Sequence, residues 1–223
     1  MGMGKEAENA QWCAIALSAN VPAGNVHPIE LGALSLALWR DEDGSAHLWE
    51  DRCPHRGMRL SFGFVRGARL TCLYHGWEYD ADGACKSIPA HPDMNPPSTI
   101  CTNPYPVAEA FGMVFTGASD ASLVDGSNGP WHSVRSVFLN CSPETAADAA
   151  LIPGALSDEP FVETGPVFTA EAGEAQIALA VQPRPDGQSA LHLSSSVEDP
   201  SVRITLARRL TALRDTLNSG GML

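Results

Sequence analysis

Four cysteine and histidine side chains, set close together in the first half of the chain, constrain its fold more than any other feature. They occur as Cys-x-His in "DRCPHRGMRL" (Cys53 and His55) and as Cys-x-x-His in "TCLYHGWEYD" (Cys72 and His75), with sixteen residues between His55 and Cys72. Thiolate and imidazole groups are ligands that suit zinc and iron–sulfur clusters. The chain is therefore expected to fold so that two glycine-containing loops meet around a metal site.

Two kinds of metal site are compatible with these ligands. A zinc site would use all four side chains in one tetrahedron, but zinc knuckles usually pair both cysteines first and both histidines later. Here each half supplies one cysteine and one histidine, which is typical of a Rieske [2Fe–2S] cluster, where two histidines replace two cysteines on one iron. Gly57 and Gly76 follow the histidines, where backbone has to approach the sulfides closely. We therefore predict a [2Fe–2S] cluster held by Cys53, His55, Cys72 and His75.

The segments around these ligands resemble a known family. "CPHRGMRLSFG" and "CLYHGWEYDADGACKSIP" are similar to the N-terminal domain of Rieske non-haem iron oxygenases, and "YPVAEAFGMVFTG" is similar to the strand pair that closes that domain. The resemblance covers about residues 11–117. Rieske subunits of respiratory complexes carry an extra cysteine in each loop, whereas this chain has Met58 and Tyr74 at those places. The resemblance implies a cluster without that disulfide and its supporting donors, with a reduction potential nearer about −150 mV than +300 mV.

The apolar pattern predicts a mainly β chain with an α+β C-terminal part. Short alternating runs and turn signals, such as "RDEDGSAHLWED", indicate an all-β first half. The second half has the pattern of a β-meander, with a short helix after Ser142 and a final helix that Asp199 caps before Pro200. We predict a Rieske-type all-β iron–sulfur domain at 11–118, a linker or exposed loop at 119–133, and a small meander-plus-helix domain, a truncated α+β domain, at 134–223.

An oxygenase of the family that the chain resembles also needs a mononuclear iron, which two histidines and one carboxylate hold. Residues 118–223 contain only two histidines, His132 and His192, sixty positions apart. A histidine without a second histidine nearby is usually structural or exposed, and we expect this of both. The remaining histidines, His27, His47 and His91, are expected at the surface.

These observations predict one-electron transfer by a component or subunit of a multicomponent Rieske oxygenase system. The expected partners are a reductase or ferredoxin as electron donor and, as a further candidate, an iron-containing oxygenase subunit; an oligomer is compatible with this role. Two alternatives stay open. The first is a complete but atypical oxygenase whose iron would bind His132, His192 and a carboxylate such as Glu163 or Asp158. The second is a redox-sensing interaction protein whose cluster controls the binding of a partner.

The charge distribution bears on the partners. With 14 basic and 26 acidic residues the net charge is −12, which argues against a nucleic-acid binder. No apolar run reaches the length of a membrane span, and the N-terminus lacks the apolar core of a secretory signal, so we predict a cytoplasmic protein without membrane contact. Five arginines crowd around the ligands, with only Asp51 opposing them locally. They form either a docking patch for an acidic partner or a set of solvated loop residues: Arg52, Arg56, Arg59, Arg66 and Arg69.

Overall fold

The computed structural model describes residues 12–117 and 129–220. Strands dominate this part of the chain, and two helices lie in its second half. In chain order the strands are β1 (Cys13–Leu17), β2 (Val26–Leu31), β3 (Leu34–Arg40), β4 (Ala46–Glu50), β5 (Phe64–Arg66), β6 (Arg69–Thr71), β7 (Glu78–Tyr79), β8 (Cys85–Ser87), β9 (Pro104–Tyr105), β10 (Ala108–Ala110), β11 (Met113–Thr116), β12 (His132–Leu139), β13 (Val162–Thr164), β14 (Val167–Ala172), β15 (Ala175–Pro183) and β16 (Ser189–Ser195). The helices are α1 (Pro143–Ala150) and α2 (Pro200–Asn218).

The chain divides into two compact units. The motif unit comprises Val21–Glu30 and Leu34–Val107, and the helix unit comprises Met1–Asn20, Leu31–Ala33 and Ala108–Leu223. The predicted domain boundaries at 118 and 134 stay a prediction. The helix unit includes β10 and β11, and most of the predicted linker at 119–133 lies outside the described residues.

The motif unit is built from two four-stranded sheets, with strand orders β2-β3-β4-β9 and β5-β6-β7-β8. The predicted hairpin at "RDEDGSAHLWED" is confirmed, since β3 and β4 pair antiparallel from Leu36 opposite Glu50 to Arg40 opposite Ala46. The turn predicted at Asp80–Gly83 is also present, between β7 and β8. The core of this unit contains the large side chains Trp39, Trp49, Tyr79, Leu60 and Leu70 together with both cysteines of the motif, Cys53 and Cys72.

The helix unit contains a five-stranded antiparallel sheet in the order β12-β16-β15-β14-β13 and a three-stranded sheet in the order β1-β11-β10. Alternate residues of β15 enter different cores, as the two-residue period of a strand requires. Ile177 and Leu179 share a core with residues of α1 and α2. Ala178 and Ala180 share a second core with residues of β1 and β11. The five-stranded sheet is therefore covered on both faces, which explains why β16 is buried throughout.

Both helices begin where the sequence predicts. Ser142 accepts a hydrogen bond from the Thr145 N–H at the start of α1, and Asp199 accepts one from the Ser201 N–H, 2.7 Å away, at the start of α2. The buried stripe of α2 consists of Leu206, Leu210 and Leu213. Burying each leucine contributes about 1.5–3 kcal/mol. The predicted fold class is confirmed. In the described part of the chain, neither helix combines the length and the apolar character that crossing a bilayer would require.

Candidate metal centre

Two loops of the motif unit carry the four predicted ligands, and their backbones close in the same way. In the first loop, which follows β4, the Cys53 N–H donates to the Met58 carbonyl and the Gly57 N–H donates to the Cys53 carbonyl, both at 2.8 Å. In the second loop, between β6 and β7, the Cys72 N–H donates to the Trp77 carbonyl at 2.9 Å and the Gly76 N–H to the Cys72 carbonyl at 3.0 Å. Each cysteine thus begins a closed turn that holds the histidine of the same loop.

Each turn closes at a glycine in the left-handed region of backbone space. Gly57 has φ +72° and Gly76 has φ +70°, a conformation that costs other residues about 1–2 kcal/mol. At Gly76 there is a second constraint, because a Cβ atom would lie 3.1 Å from Cγ of Pro89. Both glycines are therefore required by the shape of the loops, and the requirement is stricter at Gly76.

The two loops bring like ligands together. Cys53 and Cys72 belong to the same buried core cluster, and the neighbouring Cys53 sulfur is one of the causes that raise the pKa of the Cys72 thiol, after burial. Both cysteines are only 2% exposed. The imidazole rings of His55 and His75 lie with their centroids 4.6 Å apart, His55 half-buried and His75 exposed. The sulfur pair is therefore on the inner side of the site and the nitrogen pair on the outer side.

This arrangement fits a two-iron cluster. In residues 12–117 and 129–220, no three side chains of histidine, cysteine, aspartate or glutamate surround a single ion position. The ligands instead form one sulfur pair and one nitrogen pair, and a Rieske [2Fe–2S] cluster takes two thiolates on one iron and two imidazoles on the other. Cys53, His55, Cys72 and His75 would hold that cluster.

A family model provides independent support for this interpretation. The model described as "Rieske [2Fe-2S] domain" matches residues 11–106, which include both loops. The chain carries a Rieske [2Fe–2S] domain. The predicted cofactor is thereby confirmed.

Two curated relatives that share this region are named as an oxidoreductase and a monooxygenase, and they confirm the predicted likeness to Rieske oxygenases. The chain is 39% identical over 136 residues to oxidoreductase NdmD of Pseudomonas putida. The matched region covers 56% of this chain and 23% of NdmD. It is 35% identical over 120 residues to the 4beta-methylsterol monooxygenase of Methylococcus capsulatus. This matched region covers 52% of this chain and 32% of that protein. The chain thus matches between 23% and 32% of the length of these two relatives.

Solved structures show that the likeness in fold extends beyond the Rieske domain. Pseudomonas putida NdmA superposes with a TM-score of 0.71 at 18% identity, over 94% of this chain and 81% of NdmA. The apo form of dicamba monooxygenase gives a TM-score of 0.71 at 16% identity, over 96% and 86% of the two chains. At these identities the likeness shows the fold alone, and that fold includes the helix unit.

Tyr79 contacts the cluster site from the core side. Its hydroxyl lies 3.2 Å from Sγ of Cys53. Burial raises the pKa of Tyr79, so the phenol keeps its proton and donates to the sulfur when Cys53 is a thiolate ligand. Burial also raises the pKa of the Cys72 thiol, although the Tyr74 and His75 N–H groups act in the opposite direction. Tyr79 is therefore a donor to the sulfur side of the site that the sequence analysis did not identify.

Aromatic rings flank both imidazoles. The indole of Trp77 stacks on His55 at 4.1 Å with the ring planes 4° apart, and the phenol of Tyr74 lies 3.8 Å from the His75 ring. Desolvation lowers the pKa of His55, and the nearby His75 and Arg56 lower it further. These rings restrict the orientation of the imidazoles while the His75 edge stays open to solvent.

The five arginines of the predicted docking patch are all exposed. Arg52 and Arg56 line a cavity of about 450 Å³ beside the first cluster loop. Arg66 and Arg69 lie opposite each other on β5 and β6, where Arg69 pairs with Glu78 at 2.9 Å. Arg59 precedes the short turn at Leu60–Phe62. The grouping of all five into one patch stays a prediction.

The sequence suggested that Asp51 opposes these arginines locally. The structure instead places its side chain in the interior. It is only 5% exposed. Its carboxylate accepts hydrogen bonds from the N–H and the hydroxyl of Ser61, at 2.7 and 2.6 Å. These bonds join the two ends of the first cluster loop. No sequence signal distinguishes this role from that of a surface carboxylate, because the partner is ten residues away.

The residues proposed for a mononuclear iron are separated. His132 lies opposite Ser195, whereas His192 lies opposite Ser136, four positions further along β12. His192 is buried, and its Nδ1 and Nε2 atoms lie 2.7 Å from the Ser136 hydroxyl and 2.8 Å from Oε1 of Gln182. Glu163 is on β13, which β14 and β15 separate from β16. Asp158 lies in an exposed segment outside the strands.

Proposed function

We propose that this chain transfers single electrons as a component of a Rieske oxygenase system. It would accept an electron from a reductase or ferredoxin and pass it to an iron-containing oxygenase subunit. When bound, the [2Fe–2S] cluster supplies one-electron redox chemistry at two irons. The six cysteines are all unpaired, which supports a reducing compartment such as the cytoplasm for this role.

The order of the ligands from core to surface carries this proposal. The thiolate pair, at 2% exposure, is shielded from solvent, while the imidazole pair has an exposed edge at His75. Leu73 and Tyr74, next to that edge, are 58% and 57% exposed. Apolar side chains at the rim of a redox site allow a partner to approach closely and exclude water. The exposed arginines of the same unit favour a partner with acidic residues around its own site.

Each residue of the proposed site has a separate role. Cys53 and Cys72 would hold the inner side of the cluster, and His55 and His75 would hold the outer side. Trp77 keeps the His55 ring in place by stacking on it. Gly57 and Gly76 allow the loops to close around the ligands.

A complete oxygenase is the second candidate, since the fold likeness to NdmA and dicamba monooxygenase extends over 94% and 96% of the chain. Against it, the ring nitrogens of His192 are both engaged with protein groups. A metal ligand must leave one ring nitrogen for the metal. The carrier therefore remains the better supported proposal.

Metal analysis separates these candidates. The anaerobically purified chain is expected to contain two irons and two acid-labile sulfides, and to give a rhombic paramagnetic signal after reduction. His75→Ala should remove the signal, and His192→Gln should leave it and the iron content unchanged. A third iron per chain, lost in His192→Gln, together with hydroxylated or demethylated product after reduction and exposure to O₂, would establish the oxygenase. Zinc as the sole stoichiometric metal would refute both candidates.

A further inference from the structure

The two cluster loops share the same inner turn but differ at their ends. The second loop is a hairpin loop, because Thr71 pairs with Glu78 in the β6–β7 ladder where the loop begins and ends. The first loop passes from one four-stranded sheet to the other, and no strand pair in the described residues joins β4 to β5. Strand pairing therefore holds the ends of the second loop together but not the ends of the first.

A side chain joins the ends of the first loop instead. Oδ1 of Asp51 accepts the Ser61 N–H at 2.7 Å, and Oδ2 accepts the Ser61 hydroxyl at 2.6 Å. Asp51 is itself anchored, because its N–H donates to the Ser35 carbonyl in β3 at 2.9 Å. Leu60, next to Ser61, is 0% exposed and belongs to the same core as Cys53. The carboxylate therefore ties the far end of the loop to the sheet from which the loop departs.

Burial makes this contact strong enough to replace strand pairing. Asp51 and Ser61 are only 5% and 8% exposed. Hydrogen bonds to a carboxylate are shorter and about twice as strong as those between neutral groups. In the closed loop these bonds are shielded from water, and the low local dielectric strengthens them. Opening the loop breaks both bonds at once, so the carboxylate resists every movement that separates the two ends.

The surroundings of the two loops differ in the same sense. Residues 53–57 of the first loop line a cavity of about 450 Å³ together with residues 101–103, so the first loop has room to move. A Cβ atom at Gly57 would lie 3.5 Å from the flexible side chain of Arg52. A Cβ atom at Gly76 would lie 3.1 Å from the ring of Pro89. The second loop is therefore packed against a rigid neighbour, whereas the first loop lies beside open space.

We propose that Asp51 is a positioning residue that keeps the first loop closed and so holds Cys53 and His55 opposite the ligands of the second loop. The second loop is the fixed half of the site, and the first loop is the half that opens. Loss of metal from the site would begin on the side of Cys53 and His55. This inference rests on the metal site of the proposed function, but not on which protein exchanges electrons with it.

Hydrogen–deuterium exchange of the cluster-loaded full chain measures the opening of each loop. In Asp51→Ala, exchange in peptides from residues 51–62 should rise by about tenfold for each hydrogen bond to the carboxylate that is lost. Exchange in peptides from residues 71–79 should stay at the wild-type rate. Asp51→Asn keeps an acceptor for the Ser61 N–H, and Ser61→Ala keeps that N–H, so each should raise first-loop exchange less than Asp51→Ala does.

Two further readouts report on the position of the ligands. Transfer of iron to a chelator should become faster in the same order of variants as first-loop exchange. The visible circular dichroism of the cluster, which depends on the geometry of its ligands, should differ from wild type in Asp51→Ala. In Asp51→Asn it should return toward the wild-type spectrum, because one of the two hydrogen bonds to the loop is restored.

The matched control is Asp41→Ala. Asp41 is 7% exposed, and its carboxylate accepts the Ser45 N–H at 2.8 Å in the turn between β3 and β4, outside both cluster loops. Its loss removes a buried carboxylate from the same unit, but it should leave first-loop exchange and iron transfer at the wild-type rates.

An equal rise of exchange in both loops of Asp51→Ala would mean general destabilisation and would overturn the proposal. Unchanged first-loop exchange in Ser61→Ala would overturn it as well, and this milder variant decides the question if Asp51→Ala does not fold. Iron and sulfide are assayed before each measurement. A wild-type chain without them would refute the metal site and the positioning role together, whereas a filled site with unchanged exchange in the variants would refute the positioning role alone.

Discussion

His192 shows how one buried side chain can argue against a function and set a pH dependence. It lies opposite Ala180 and Ser136 in the middle of the five-stranded sheet. Burial lowers its pKa from 6.5 to about 4. The imidazole is therefore neutral in the folded chain between about pH 6.5 and pH 4, where the unfolded chain already binds a proton. This is the behaviour of a structural core histidine, as the sequence predicted.

The low pKa predicts acid sensitivity of the helix unit. Between pH 6.5 and pH 4 the unfolded state gains a proton at His192 and the folded state does not. The free energy of unfolding should therefore fall with decreasing pH in this window, by up to about 1.4 kcal/mol per pH unit for one proton. Urea unfolding of His192→Gln should show a smaller pH slope than wild type. Equal slopes for wild type and His192→Gln would contradict this assignment.

The four proposed cluster ligands could be selected from sequence because each pair lies within one short loop. Cys53 and His55, or Cys72 and His75, are fixed relative to each other by local backbone geometry alone. Tyr79 and Trp49 could not be found in the same way. Their contacts depend on which strands pair and on which face each side chain points, and those are tertiary properties. The same reason explains why the sequence did not show that His47 is half-buried.

At the scale of strands and helices, local sequence patterns predict where elements lie. They do not predict which distant strands pair. The hairpins β3–β4 and β15–β16 and both helix starts follow from turn and cap residues within a few positions. The pairing of β1 with β11, and of β12 with β16, joins segments that are far apart in the chain. Apolar alternation marks both as strands but does not state which neighbour each takes. The strands β9 and β13, of two and three residues, are too short to show an apolar period in the sequence.

The cluster loops predict a graded response to glycine substitution. Gly76 and Gly67 both have positive φ, at +70° and +55°, but a Cβ atom meets Pro89 only at Gly76. Gly76→Ala should displace the adjacent His75 and lower the iron and sulfide content per chain. Gly67→Ala carries the backbone strain of about 1–2 kcal/mol without the collision, so it should keep a full cluster at slightly lower stability. Visible absorption with iron and sulfide assays provides the measurement, and equal cluster content in the two variants would show that the Pro89 contact is unimportant.

At the scale of the whole molecule, neither the net charge nor the fold identifies the function. The chain is acidic, with a net charge of −12, yet arginines surround the cluster loops. The fold is shared with NdmA and with dicamba monooxygenase over more than nine tenths of the chain, at 18% and 16% identity. Fold alone does not decide whether a chain catalyses a reaction or supplies electrons to one. The contacts of the cluster with its partners therefore carry more information about function than the overall architecture does.

Docking by the arginines predicts a salt-dependent electron transfer. Arg56 and Arg59 are exposed and form no ion pair in the described residues, so their charges are available to an acidic partner. Reversing both charges in the double variant Arg56→Glu with Arg59→Glu should slow the association with a dithionite-reduced acidic plant-type ferredoxin. Stopped-flow absorption measures this rate. The wild-type rate should fall as salt rises, because exposed charges more than about 10 Å apart are screened at 0.1 M ionic strength. Arg208→Glu with Arg214→Glu on α2 makes the same change in net charge in the other unit and should affect the rate less. The reduction potential should change less than the association rate in the Arg56 and Arg59 variant. A rate that is independent of salt, or that falls equally in both double variants, would mean that the five arginines are solvated loop residues without a docking role.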